Sequence, residues 1–140
     1  MTDTREVEMV TLTIDGTDIE VPAGTTILQA AQGIGTEVPH YCYHPGLSSP
    51  AMCRLCLVEV EGGPKLLPSC TTEVAASQVV HTQSESALGM RRGVLEFYLA
   101  NHPLDCPICD QSGECDLQDY VFDEGREHGR IREAKQIGRA

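Results

Sequence analysis

The sequence predicts an α+β chain with a small sheet domain over residues 1–83, a short helical region over residues 84–125 and a basic tail over residues 126–140. Three observations carry that expectation. An alternating apolar pattern around Asp15-Gly16 passes directly into a helical pattern. Three cysteines then occupy a Pro- and Gly-containing stretch before strand-like residues resume. From Ser84 onward the apolar residues recur at helical spacing, and three further cysteines follow.

The first element is a hairpin. Val10, Leu12 and Ile14 alternate with Thr11 and Thr13, the period of a half-buried strand. Asp15-Gly16 supplies a two-residue turn that tolerates positive φ. Ile19 and Val21 continue the alternation up to Pro22. Thr25 or Thr26 can cap a helix in which Ile27, Ala30, Ala31 and Ile34 share a face, with Gly33 and Gly35 at its end. Residues 36–56 are loop-like and hold Cys42, Cys53 and Cys56. Leu57 to Glu61 form a strand, Gly62-Gly63-Pro64 turns the chain, and Lys65 to Ser69 return it to Cys70. Gln78 to Thr82 complete the set. Hairpin, helix, cysteine loop and strands in that order describe a β-grasp domain.

The second region begins at Ser84 or Ser86. Ala87, Met90, Val94, Phe97 and Tyr98, flanked by Leu88, Leu95 and Leu99, form a broad apolar stripe, so these side chains are expected in a core. His102-Pro103 ends the helix, because the residue before a proline leaves the α region. Glu114 to Glu124 form a further short helix between Gly113 and Gly125. The tail from Arg126 to Ala140 is polar, with Ile131 and Ile137 too sparse to bury much, and is expected as a helix or extended arm that needs a partner.

Composition narrows the function. Aromatic residues make up only 4% of the 140, without tryptophan, so the core is thin, and small domains of that kind lean on metals or crosslinks. Seven cysteines cannot all pair internally. The opening Met1-Thr2-Asp3-Thr4-Arg5-Glu6 is polar and no Arg-rich presequence follows, so a reducing cytosol is the expectation, where cysteine clusters mean metal or redox chemistry. No apolar run approaches the roughly 18–20 residues of a membrane span. A net charge of −11 argues against nucleic acid as a partner. Residues 1–124 carry 5 basic and 19 acidic groups, whereas residues 125–140 carry 5 and 2. The acidic part is a solvated surface or, on the functional alternative, a docking face for a complementary subunit.

Two sets of soft donors account for every cysteine. The first is Cys42-x10-Cys53-x2-Cys56-x13-Cys70. Four thiolates satisfy a tetrahedral zinc or a [2Fe–2S] core. Only one close pair is present, and a long loop carries the first ligand, which leans towards an elongated two-iron cluster. The second is His102-x3-Cys106-x2-Cys109-x5-Cys115, which on chemistry alone suits zinc or iron equally. His40, His44, His81 and His128 are expected at loop or surface positions, although His44 could donate a hydrogen bond near the first set. Arg54 could offset cluster charge. Asp105, Asp110 and Asp116 each adjoin a cysteine of the second set, as solvated loop carboxylates or as groups that tune a potential.

The run Tyr41-Cys42-Tyr43-His44-Pro45-Gly46-Leu47, with Cys53-Arg54-Leu55-Cys56-Leu57-Val58-Glu59-Val60, resembles the N-terminal [2Fe–2S] domain of the large iron–sulfur subunit of respiratory NADH:quinone oxidoreductase, complex I. Residues 101–119, from Asn101-His102-Pro103-Leu104-Asp105-Cys106 through Cys109 and Gly113-Glu114-Cys115 to Asp119, resemble that family's [4Fe–4S] segment. The resemblance covers roughly residues 7–135 and extends to subunits of NAD-linked hydrogenases and formate dehydrogenases.

The resemblance implies that Cys42, Cys53, Cys56 and Cys70 ligate a [2Fe–2S] cluster, and that His102, Cys106, Cys109 and Cys115 ligate a [4Fe–4S] cluster. It implies an electron-transfer role with no substrate-binding active site on this chain. The partners would be a flavin subunit that oxidises NADH and other iron–sulfur subunits, with quinone as the distant acceptor. The place would be a peripheral arm on the cytoplasmic side of a bacterial inner membrane. Two alternatives stand beside this reading. One is a diaphorase-type subunit of a hydrogenase or formate dehydrogenase, and the other is a zinc-stabilised structural adaptor. Members of the complex I family continue for hundreds of residues, so a truncation or a small stand-alone subunit is expected here. Plant-type ferredoxins differ in having x4 after their first cysteine rather than x10.

Overall fold

A computed structural model describes residues 7–137. The opening Met1 to Glu6 and the last three residues of the tail lie outside the described residues. The hairpin forms as read: β1 (Met9–Ile14) pairs antiparallel with β2 (Thr17–Pro22), Ile14 facing Thr17 across the turn. Asp15 and Gly16 both take positive φ, 47° and 83°, as this tight turn requires. Helix α1 (Ile27–Gly33) starts at Thr26, whose side chain accepts from the Gln29 N–H while the Gln29 side chain accepts from the Thr26 N–H. That reciprocal cap satisfies two orphan donors. Ile27, Leu28, Ala30 and Ala31 are buried, while Ile34 is 37% exposed and lies at the C-cap rather than on the buried face.

Strands β3 (Leu57–Val60), β4 (Leu67–Pro68) and β5 (Val79–His81) complete a five-stranded sheet in the order β2-β1-β5-β3-β4. β1 and β5 run parallel and the other neighbours antiparallel, which is the β-grasp arrangement. The return strand is two residues long rather than five. It contains Pro68, which has no N–H to extend a ladder. Leu12, Ile14, Ile27, Leu28, Val58 and Val80 pack between α1 and the sheet. Each such fully buried side chain contributes about 1.5–3 kcal/mol.

Helix α2 (Glu85–Ala100) is capped by Ser84, which accepts from the Ala87 N–H at 3.2 Å. Its buried line differs from the apolar stripe. Ala87, Arg91 and Leu95 are buried, whereas Met90 is 45% and Phe97 80% exposed. The stripe is wider than the contact. Arg91 takes a core position because it has partners there: its Nη2 donates to the Thr82 carbonyl at 2.6 Å, and its Nη1 donates to the Glu124 carboxylate at 3.0 Å. Helix α3 (Asp116–Glu124) packs on α2. Past it the tail has no regular element among the described residues, and its partner is the chain itself. Arg130 pairs with Glu96 at 2.8 Å, and Lys135 Nζ donates to the carbonyls of Leu99 and His102 at 2.6 and 2.8 Å. A lysine there complements the negative end of the α2 dipole.

Candidate metal centres

The first cysteine set lies on the irregular stretch between α1 and β3 and on the turn after β4. Cys53, Cys56 and Cys70 are buried, and Cys42 is half-buried. Cys42 lies close enough to Cys53, and Cys70 close enough to Cys56, for each to perturb its neighbour's thiol, so the set groups as two pairs. The left-handed turn at Arg54 (φ 59°) lies between Cys53 and Leu55. The backbone N–H groups of Cys42, Leu55 and Tyr41 lie near the Cys53 sulfur and act to favour its thiolate. Burial alone would raise the Cys53 thiol, but these donors outweigh it and hold it below the ordinary thiol value. Burial dominates at Cys56 and pushes it up to about 11, with the Cys70 N–H acting in the opposite sense.

Four cysteines grouped as two pairs suit a two-iron core, which divides four thiolates between its irons, and N–H donors around sulfur are the usual support for such a core. The Ser49 hydroxyl, in the same loop, is buried without a partner among the described residues.

The second set follows from the end of α2. His102 lies just past the C-cap Asn101, Cys106 opens a 3₁₀ turn (Cys106–Ile108), and Cys115 is the N-cap of α3. His102, Cys106 and Cys115 line one cavity of about 500 Å³ between α2, α3 and the returning tail. Cys109 is exposed and does not line it, so three of the four expected donors share the cavity. Asp105, Asp110 and Asp116 are exposed, in keeping with solvated carboxylates. The remaining histidines have other engagements. His40 Nδ1 lies 2.7 Å from the Val38 carbonyl, His44 Nδ1 accepts from the Gly46 N–H at 3.1 Å, and His81 pairs with Glu61 at 2.9 Å. His128 is exposed.

Sequence reasoning missed what lies between the two sets. Tyr41 packs edge-on against Tyr98 and Tyr120, with ring centroids 5.4 and 5.5 Å apart. Leu55, inside the C-x-x-C turn, is buried against Leu95 of α2, with Leu117 and Val121 of α3 beside it. Arg91 was missed too. Its place between Ala87 and Leu95 at four-residue spacing was a usable signal, because a charge on a buried line must be paired.

A β-grasp sheet with paired thiols in its loop, followed by a helical segment with a histidine-led donor set, defines an iron–sulfur protein. Residues 7–85 match the family described as 2Fe-2S iron-sulfur cluster binding domain, and the chain belongs to that family. Residues 91–130 match the NADH-ubiquinone oxidoreductase-G iron-sulfur binding region. The two matches give the chain one [2Fe–2S] and one [4Fe–4S] cluster. The chain is 52% identical to the G subunit of NADH-quinone oxidoreductase from Rickettsia bellii (strain RML369-C) over 91% of its own length and 19% of the relative's. It is 50% identical to the NADH-ubiquinone oxidoreductase 75 kDa subunit of Reclinomonas americana over 91% of its length and 18% of that relative's. It thus spans about a fifth of these relatives. Among solved structures, a chain in the crystal structure of an NAD+-reducing [NiFe]-hydrogenase in the H2-reduced state superposes with a TM-score of 0.79 at 31% identity. That match covers 94% of this chain and 54% of the other.

Proposed function

We propose that this chain is an electron-transfer part of an NADH:quinone oxidoreductase, relaying electrons from an NADH-oxidising flavin subunit towards quinone. The observation that carries this reading is the likeness to the NADH-quinone oxidoreductase relatives across both cysteine sets in one continuous stretch. When bound, the clusters supply one-electron exchange at potentials set by their ligands and surroundings. The chain's residues do the rest. Cys42 and Cys53 hold one edge of the [2Fe–2S] site, and Cys56 and Cys70 hold the other. His102, Cys106, Cys109 and Cys115 would hold the [4Fe–4S] cluster. The backbone N–H groups of Tyr41, Cys42 and Leu55 favour the Cys53 thiolate, and the Leu55–Leu95 contact keeps water from the space between the sites. The residue division at 83/84 separates the ligand sets. The partners are the flavin subunit and further iron–sulfur subunits, in a peripheral arm on the cytoplasmic face of a bacterial membrane. In support, no helix among the described residues is long and apolar enough to cross a membrane.

The likeness to the hydrogenase chain favours a second reading, a diaphorase-type subunit of an NAD-linked hydrogenase or formate dehydrogenase. Neighbouring genes discriminate, since proton-pumping membrane subunits support the first reading and a hydrogenase or formate-oxidising subunit the second. Metal and acid-labile sulfide analysis of anaerobically purified protein, with EPR after dithionite reduction, tests the cluster assignment. About six irons with labile sulfide and two distinguishable signals are expected. About two zincs without sulfide would leave the structural adaptor instead.

A further inference from the structure

Over residues 127–135 the tail lies along the cavity that His102, Cys106 and Cys115 also line. Alternate residues, Glu127, Gly129, Ile131, Glu133 and Lys135, line it, whereas His128, Arg130, Arg132 and Ala134 do not. That period is the one an extended segment shows when one side rests on a surface. The segment is pinned to α2 at two places. Arg130 holds the Glu96 carboxylate with Nε at 3.0 Å and Nη2 at 2.8 Å, a forked, charge-assisted contact. Further on, Lys135 Nζ donates to the carbonyls of Leu99 and His102 at 2.6 and 2.8 Å, and the Gln136 N–H donates to the Asn101 side chain at 2.9 Å. The last carbonyls of a helix have no partner within it, and α2 has no basic residue in its own last turn, so the tail supplies the cation. All these contacts are exposed. A segment held by a few exposed bonds is the kind that opens locally while the rest of a protein stays folded.

We propose that residues 126–136 are a strap over the histidine-led donor set, and that Lys135 is its clasp and a positioning residue for His102, so that the strap governs how fast solutes reach the histidine-ligated cluster. The inference rests on the ligand reading of His102, Cys106, Cys109 and Cys115 above. His102 lies past the C-cap of α2, where the helix no longer fixes its backbone. The bond from Lys135 to its carbonyl takes over that task. Releasing the clasp therefore loosens the anchorage of the imidazole and opens one side of the cavity. Among the described residues, neither core that packs around the first cysteine set includes a residue of the tail, so the [2Fe–2S] cluster serves as an internal control.

The test is Lys135→Met in the full chain, purified anaerobically and reduced with dithionite, with a ferrous-iron chelator added and both EPR signals followed in time. The histidine-ligated signal should decay about three- to tenfold faster, as the loss of one or two exposed hydrogen bonds from the closed form would give, while the [2Fe–2S] signal decays at its native rate. Lys135→Arg, which can still donate to both carbonyls, should restore the native rate. In protein carrying isotope-labelled histidine, Lys135→Met should also alter the histidine-nitrogen hyperfine coupling at the cluster, which a loosening elsewhere would leave alone. An unchanged decay, equal acceleration of both signals, no rescue by arginine or an unaltered coupling overturns the proposal. The unaltered protein separates the two possible failures. Absence of any histidine-nitrogen coupling there sinks the ligand reading and this proposal with it, whereas a coupling present with unchanged decay rates sinks this proposal alone. Should Lys135→Met fail to assemble, brief trypsin treatment of the unaltered protein frees the end of the strap by cutting after Arg130 or Arg132. The histidine-ligated signal should then decay in step with that cleavage, and cleavage mapped there by mass spectrometry without faster decay overturns the proposal.

Discussion

Cys53 and Cys56 stand three positions apart and meet opposite environments. Three backbone donors hold the Cys53 thiol down, while burial pushes Cys56 up to about 11. A thiolate, not a thiol, ligates metal, so metal binding would draw the proton from Cys53 more readily than from Cys56. His102, as a proposed ligand, differs in kind, because an imidazole ligand brings no negative charge where a thiolate would. His102→Cys should therefore still assemble a cluster, at a lower midpoint than the native one, read by EPR-monitored redox titration. An unchanged midpoint would count against His102 as a ligand. Both candidate donor sets were legible in the sequence because cysteines and a histidine at such intervals are a rare pattern. Tyr41 was not, since a tyrosine beside a cysteine has no special spacing and its two ring neighbours come from positions 98 and 120.

The elements that were legible carry their instructions locally. Asp15-Gly16 and the flanking alternation specify the hairpin, and Thr26 with Gln29 specifies the start of α1. The buried line of α2 was not legible, because its central residue is Arg91, which becomes a core residue only when Thr82 and Glu124 arrive from other elements. Asp15 also accepts from the Thr82 N–H at 2.7 Å, so the hairpin turn, the residue after β5, α2 and α3 are joined through Thr82 and the Arg91 guanidinium. Arg91→Met should cost towards the lower end of about 3–5 kcal/mol, since Glu124 is partly exposed and can hydrate. Anaerobic urea denaturation measures it, and a loss no larger than that of Glu124→Gln would contradict the linking role. The tail is held more lightly. Hydrogen bonds from Arg130 keep the half-buried Glu96 carboxyl below its ordinary value. That attachment is fully present above the usual glutamate pKa and is lost as pH falls through the lowered one. At neutral pH, Glu96→Gln should mimic the acid state and speed tryptic cleavage after Arg126 and Arg130 by a few-fold, with native-like rates speaking against the contact.

The described residues form two cores, and the C-x-x-C turn is divided between them. Cys56 and Cys70 belong to the core between α1 and the sheet, whereas Cys53 and Leu55 belong to the core they share with Leu95 and the faces of α2 and α3. The change of periodicity near Ser84 marks where the local pattern changes, but packing crosses that point, since residues 41–55 and 94–121 close on each other over a long sequence separation that no local pattern encodes. The division makes two substitutions behave differently. Cys70→Ser removes a donor from the first core and leaves the shared one intact, so it should abolish the [2Fe–2S] signal while the histidine-ligated signal persists. Leu55→Ala removes no donor but opens a cavity where the two halves meet, at a cost of about 2–5 kcal/mol. It should lower occupancy of both clusters together, because the contact it weakens positions Cys53 on one side and α3, with Cys115 at its cap, on the other. Iron content and the two EPR signals, followed side by side during mild heating, measure the coupling. Selective loss of one signal in Leu55→Ala would mean that each half holds its cluster alone, and parallel loss in Cys70→Ser would mean that the first cluster, rather than the shared core, keeps the second in place.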